Sequence, residues 1–174
     1  MFLNLHHIRT AHQRVEKVYP PDAFGPGTGE YQVVEPVTLG FDIDKDRDQY
    51  RVTGEVRTTL ELPCGRCLEP FRLPVDARFD LRYLPPSRNT GEGEREVRED
   101  DLSAAFYENE QIDLEQLMRE QFELALPMKP LCTAECLGLC PSCGTNLNRG
   151  ACDCKPEWED PRLAALKAFQ KRES

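Results

Sequence analysis

Histidine is almost missing from this chain. Three occur in 174 residues, His6, His7 and His12, all close to the amino terminus. Catalytic zinc sites usually draw on His or a carboxylate and leave one position open, so this scarcity argues against metal catalysis. The sequence also lacks a phosphate-cradling glycine loop, a nucleophile elbow and paired acids in a plausible cleft. An enzyme is not expected, nor is a small-molecule substrate. No window approaches the roughly 18 apolar residues of a membrane span, so no membrane partner is expected. The first residues, Met1 to Arg9, do not combine a basic start with a long apolar stretch, and a cytoplasmic location is expected. An excess of base is missing too: Lys and Arg number 22 against 31 Asp and Glu, a formal charge of −9. That is not the footprint of a protein that coats nucleic acid unaided.

The acid is concentrated. Residues 92–123 hold 12 acids and three bases, and the remainder balances at 19 of each. The rest of the chain is patterned with period two. Tyr31, Val33, Val37, Leu39, Phe41 and Ile43 share a parity, with Glu35 the exception. Tyr50 to Leu62 and Phe71 to Tyr83 repeat the alternation against charged partners. These are half-buried antiparallel strands, with Pro36 and Pro74 at edges or bulges because neither can donate to a ladder. The breaker-rich stretch 20–29 reads as a loop, and Pro85 to about Asp101 as a mobile loop. A helix follows, capped by Asp113 with Gln116 three residues on, as in a capping box. Its apolar face is Leu114, Leu117, Met118, Phe122 and Ala125. Pro127 and Pro130 end it. A last, basic helix is expected from Asp160-Pro161, with Leu163, Leu166, Ala168 and Phe169 on one face.

What the chain does have is eight cysteines: Cys64 and Cys67, then Cys132, Cys136, Cys140, Cys143, Cys152 and Cys154. In a cytoplasmic protein, close pairs read as metal ligands more readily than as disulfides. Four thiolates at about 2.3 Å close a tetrahedron around Zn²⁺. Cys140, Cys143, Cys152 and Cys154 form the firmer quartet, with Gly144 suited to the turn after a knuckle. Cys64 and Cys67 lie between two alternating strands, at a hairpin tip, and cannot complete a tetrahedron alone. Cys132 and Cys136 are the unclaimed pair, and the helix would return them to the tip. Other pairings, such as Cys136 joining Cys140 and Cys143, stay open, as do ordinary buried thiols and iron in place of zinc. Two closed structural Zn²⁺ sites are expected, each adding about −2 in charge. The histidines read as surface residues.

Cys64-Gly65-Arg66-Cys67-Leu68-Glu69-Pro70-Phe71 resembles the C-x-R-C-L-x-x-F signature of the YceD-like family, the large-ribosomal-RNA accumulation family. The order of the rest is similar: an acidic segment, a helix ending in Leu124 to Pro130, then Cys132-x-x-x-Cys136-x-Gly138-Leu139-Cys140-Pro141-x-Cys143-Gly144-x-Asn146-Leu147-Asn148, and Asp160-Pro161-Arg162-Leu163 near the end. The resemblance implies a non-enzymatic bacterial or plastid protein that supports 23S rRNA accumulation and large ribosomal subunit assembly. The implied partners are a large-subunit precursor, ribosomal RNA or a ribosomal protein. Arg66 and Phe71 match the signature. Two other classes compete: a zinc-binding protein-interaction module unrelated to ribosomes, and an iron-thiolate redox protein.

The expected fold is α+β. An antiparallel meander of at least three strands, open or partly closed into a barrel, packs on the helix at about 113–126. Residues 1–126 form this body, and residues 127–174 form a cysteine-rich zinc lobe with the last helix, the two making one compact unit.

Overall fold

Period-two alternation becomes long strands because each apolar parity can be buried on one sheet face. In the computed structural model, which describes residues 1–26, 29–88 and 103–154, the elements in chain order are β1 (Phe2–Asn4), β2 (His12–Tyr19), β3 (Gln32–Val33), β4 (Val37–Asp46), β5 (Gln49–Pro63), β6 (Pro70–Leu84), β7 (Ala104–Phe106), β8 (Gln111–Asp113) and α1 (Leu114–Ala125). Among the described residues the class is α+β: mostly sheet, with one α-helix. The sheets are open. One runs β2-β4-β5-β6-β7, with β3 also on β5; the other is the pair β1-β8. The expected last helix at Asp160 and most of the loop 85–101 lie outside the described residues.

Strands β4, β5 and β6 form the antiparallel meander. Register puts like with like: Ile43 opposite Val52, Val52 opposite Leu81, Leu60 opposite Leu73, Tyr50 opposite Tyr83. The buried face of the sheet, with Val37, Leu39, Phe41, Ile43, Val52, Val56 and Leu60, joins Leu5, Ile8, Phe24, Ile112 and the inner face of α1 in one core. The other face is wet and charged. There Arg51 forks onto Asp80 at 2.9 and 2.6 Å, and Arg57 reaches Asp76 at 3.2 Å. The Arg51 bond holds the Asp80 carboxyl below its usual range. Such exposed pairs tune register more than stability.

Four features differ from the expectation. The parity run from Tyr31 to Ile43 is two strands, because the chain bulges at 34–36. Val33 faces Leu60 while Thr38 faces Arg57, so two extra residues are accommodated. Pro36 sits in that bulge, and Glu35 is pinned there, its carbonyl taking the Thr58 hydroxyl at 2.9 Å and its carboxylate the Thr59 hydroxyl at 2.7 Å. Residues 12–19, where no strand was expected, form β2 along the edge of β4; one face is open to solvent, so its apolar parity is thin. The breaker-rich stretch contains a 3-10 turn, Pro21–Phe24, that buries Phe24. Strand β7 returns parallel to β6, which a simple meander does not include.

Helix α1 starts as its sequence suggests. The Asp113 carboxylate accepts the Glu115 and Gln116 backbone N–H groups at 2.9 and 3.3 Å, satisfying two orphan donors of the first turn. Gln116 does not reach back to complete a capping box; its amide donates to Glu120 at 2.9 Å. Leu114, Leu117, Met118 and Phe122 are buried, and Ala125 partly so. Phe122 meets Phe24 and Tyr31 edge-to-face, with ring centroids 5.7 and 6.2 Å apart. Arg119 ties the helix to the Phe24 carbonyl. No helix among the described residues is long and apolar enough to cross a membrane.

Gly54 is the tightest point of the sheet. It lies in register between Phe41 and Phe79. An added Cβ would fall onto the Gly40 carbonyl oxygen and within 2.5 Å of Phe41 Cβ. Gly54→Ala is therefore expected to cost about 2–4 kcal/mol by overpacking. Gly40→Ala, whose Cβ would meet only Glu16 Cγ at 3.9 Å, should change stability by less than about 1 kcal/mol. Urea unfolding of the two variants checks the contrast.

Candidate metal centres

The β5–β6 hairpin ends in the turn Cys64 to Glu69. The Leu68 backbone N–H donates to the Cys64 carbonyl, and the Cys64 N–H to the Glu69 carbonyl, both at 2.9 Å. Leu68 closes this turn at φ 61°, a left-handed conformation that a side chain resists. The same device recurs around Cys140. There the Gly144 N–H donates to the Cys140 carbonyl at 2.9 Å and the Cys140 N–H to the Thr145 carbonyl at 2.8 Å, with Gly144 at φ 74°. Each turn aims two thiols to one side.

The eight cysteines gather into two groups of four: Cys64, Cys67, Cys132 and Cys136, and Cys140, Cys143, Cys152 and Cys154. Within each group the sulfurs all lie within 4.8 Å of one another, and each group could hold a metal ion. Four sulfurs about 2.3 Å from one ion stand about 3.8 Å apart. The Cys64–Cys136 and Cys67–Cys132 Sγ distances are both 3.8 Å. A disulfide needs about 2.05 Å, and all eight cysteines are free. The donor set and its spacing fit a tetrahedral thiolate metal. His6, His7 and His12 are exposed and stand apart from both groups.

The two groups differ in their surroundings. In the first, Cys64, Cys67 and Cys136 are buried in a small apolar cluster with Phe71, Leu131 and Leu139 packed against it. In the second, Cys140 is buried, Cys152 half-buried, and Cys143 and Cys154 exposed. Each group of bare thiols concentrates charge on some sulfurs and keeps protons on others. Cys64 is lowered to about 6, chiefly by the backbone N–H groups of Cys67 and Cys132. Cys67 takes the Glu69 backbone N–H, which lowers it, yet desolvation and the neighbouring sulfurs carry it up to about 12. Cys143 is lowered to about 6 by the Thr145 hydroxyl, 3.1 Å away, while the Cys143 sulfur pushes Cys154 up to about 12. A dication among four sulfurs would remove this mutual repulsion.

Residues outside the thiols hold the two groups together. Several of them lie inside the cysteine motif, but their spacing alone does not announce this task. Gly65 N–H donates to the Pro130 carbonyl at 2.7 Å, and the Arg66 guanidinium to the Cys136 carbonyl at 2.8 Å. Asn148 accepts the Leu137 N–H at 2.8 Å and donates to Cys136 Sγ at 3.3 Å and to the Asn146 side-chain Oδ1 at 2.9 Å. Asn146 and Arg149 both reach Glu69, at 3.5 and 2.9 Å. Asn148 and Glu69 thus link the second knuckle to the first. Leu139 bridges Asn146 and the Leu147 N–H meets the Gly138 carbonyl at 2.9 Å, so residues 138–147 form a small hairpin with Cys140–Cys143 at its tip.

Gly138 lies where this hairpin presses on the first knuckle. Its φ is 77°, and a Cβ would sit 3.1 Å from the Arg66 carbonyl oxygen. Gly144 has a similar φ with nothing within 4 Å. Gly144→Ala should cost about 1–2 kcal/mol from backbone strain alone. Gly138→Ala should cost more and expose residues 131–154 to protease while β4–β6 stay protected. Limited proteolysis and amide exchange of the two variants measure this.

Comparison with known proteins identifies the kinship. A maize protein called large ribosomal RNA subunit accumulation protein YCED homolog 1, chloroplastic, is 28% identical over 144 residues, 70% of this chain and 49% of its own length. Its Arabidopsis thaliana counterpart is 27% identical over 158 residues, 79% of this chain and 49% of its own. An uncharacterised protein of Mycobacterium tuberculosis is 36% identical over 115 residues, 66% of this chain and 53% of its own. The chain spans about half the length of the curated relatives it matches. No solved structure matches it. The family model described as large ribosomal RNA subunit accumulation protein YceD matches residues 52–170, a span that takes in both cysteine groups, and the chain belongs to the YceD family.

Proposed function

We propose that this protein supports accumulation of large-subunit ribosomal RNA as a non-enzymatic, cytoplasmic assembly factor, and that two Zn²⁺ ions stiffen the part of it that carries the family signature. The observation that carries the reading is the family match across 52–170. The relatives named for large ribosomal RNA subunit accumulation add the process. The partners proposed are a large-subunit precursor particle, through its RNA or one of its proteins.

The zinc proposal rests on the donor set. Four thiolates fill a tetrahedron and leave no open position, which is the pattern of structural zinc. Bound Zn²⁺ would supply cross-linking and charge neutralisation. The chain's own residues do the rest: Cys64 and Cys67 present two thiols on a hairpin tip, Cys132 and Cys136 bring the segment after α1 back to it, and Arg66, Asn146 and Asn148 hold the backbone around them. The non-enzymatic reading rests on the same closure, with all three histidines outside the groups.

Two sets of measurements, one on the metal and one on the function, test these statements separately. Metal analysis should find two zinc ions per chain and a colourless protein; visible absorbance from iron thiolate would overturn zinc. Cys67→Ser should retain one ion and release residues 131–154 from the hairpin. Cys143→Ser should also retain one, with the first knuckle intact. A strong chelator should strip the second group first, since Cys143 and Cys154 are exposed. For function, depletion should lower mature large-subunit RNA relative to small-subunit RNA, and the protein should co-sediment with large-subunit precursors. Unchanged RNA together with absence from every ribosomal fraction would sink the assembly reading.

A further inference from the structure

The acidic part of the chain borders a groove far from the cysteines. It lies among β7, β8 and α1 and has a volume of about 740 Å³, within the usual range for an occupied binding cleft. Phe2 and Phe106 line it and are 64% and 40% exposed. Aromatic rings left in water beside a concave floor mark a contact surface more than a stray apolar residue does. Ala105, Tyr83 and Leu117 are also in the lining.

The ionised side chains that line the groove share one sign, and the amino-terminal ammonium of Met1 stands 3.6 Å from Asp113. Glu108, Asp113 and Glu120 line the groove, and among the described residues no Lys, Arg or His does. Two of these acids are held in place: Asp113 caps α1, and Glu120 accepts the Gln116 amide at 2.9 Å. Their field reaches the floor. Burial raises the Tyr83 phenol, and Glu120 and Asp113 raise it further. Phosphate would be repelled here.

We propose that this groove docks a Lys/Arg-rich segment of a partner protein, which seats one bulky apolar side chain against Phe2 and Phe106 while its cations face Glu108, Asp113 and Glu120. Strand β7 is an end strand of the sheet among the described residues, so an extended segment can run alongside it. The proposal rests on the assembly reading only in suggesting that such a partner travels with large-subunit precursors; the groove itself is tested without ribosomes.

The test is fluorescence titration of the full chain with a labelled 12-residue Lys/Arg-rich peptide carrying a single central Phe. Controls are the same peptide with that Phe changed to Ala, and a single-stranded RNA of equal charge magnitude. Binding is expected for the Phe peptide, weakening as salt rises. Loss of the peptide's Phe, or Phe106→Ala in the protein, should each weaken it by about tenfold or more. Glu108→Lys should weaken it similarly, and serves in place of Phe106→Ala if that variant fails to fold by circular dichroism. Equal binding by the Ala peptide and by Phe106→Ala would reduce the effect to diffuse charge attraction and overturn the proposal. So would absence of peptide binding, or preference for the RNA. If the peptide binds as expected but depletion leaves large-subunit RNA unchanged, the groove stands and the assembly reading falls.

Discussion

The meeting of Cys64 and Cys67 with Cys132 and Cys136 is the constraint on which the carboxyl-terminal half depends. The paired thiols are 65 and 72 residues apart in the chain, so bringing them together closes a long loop at real entropic cost. Among the described residues, little else holds the segment after α1. Around the thiols are three half-buried or buried apolar side chains, Phe71, Leu131 and Leu139, too few for an independent core. The segment's order therefore rests on the thiol cluster and on the hydrogen bonds from Gly65, Arg66 and Asn148 that surround it. The second group builds on the first, since Glu69 of the first knuckle receives Asn146 and Arg149 of the second.

The hairpin that presents the first knuckle is well made for this. Strands β5 and β6 pair from Pro63–Pro70 at the tip to Tyr50–Tyr83 at the other end, about 45 Å along the strands at about 3.3 Å per residue. The core grips this bar along its buried parity, and α1 packs against β6. One end carries the thiols with Arg66 and Arg149 beside them; the other borders the acidic groove.

The fold was legible where both faces of a strand declare themselves. Tyr50 to Leu62 and Phe71 to Tyr83 alternate apart from Gly54, Thr58 and Pro74, and the face each residue takes follows from that alternation. Helix α1 was legible from Asp113 and its apolar stripe, although Gln116 bonds Glu120 rather than completing a capping box. Elements that lie at edges were not legible. β2 exposes one flank to solvent, so Val15, Lys17 and Tyr19 give no clean pattern. β7 and β8 have three residues each, too short for any period to register. The bulge at Glu35 and Pro36 hides inside an apolar parity, because two inserted residues preserve the alternation while shifting the partner.

The cysteine spacing by itself named eight thiols, and it implied knuckles, since a turn of two intervening residues places two sulfurs on one side by local geometry alone. The family resemblance was likewise carried by local sequence. What tertiary structure decided is which thiols share a group, how deeply each group is buried, and that Phe2 and Phe106 border the same acidic groove despite lying about a hundred residues apart. Local backbone geometry can dictate contacts within a turn. Contacts between distant segments depend on the path of the whole chain, here on how β6 and α1 lead residues 103–136 back to the two ends of the sheet.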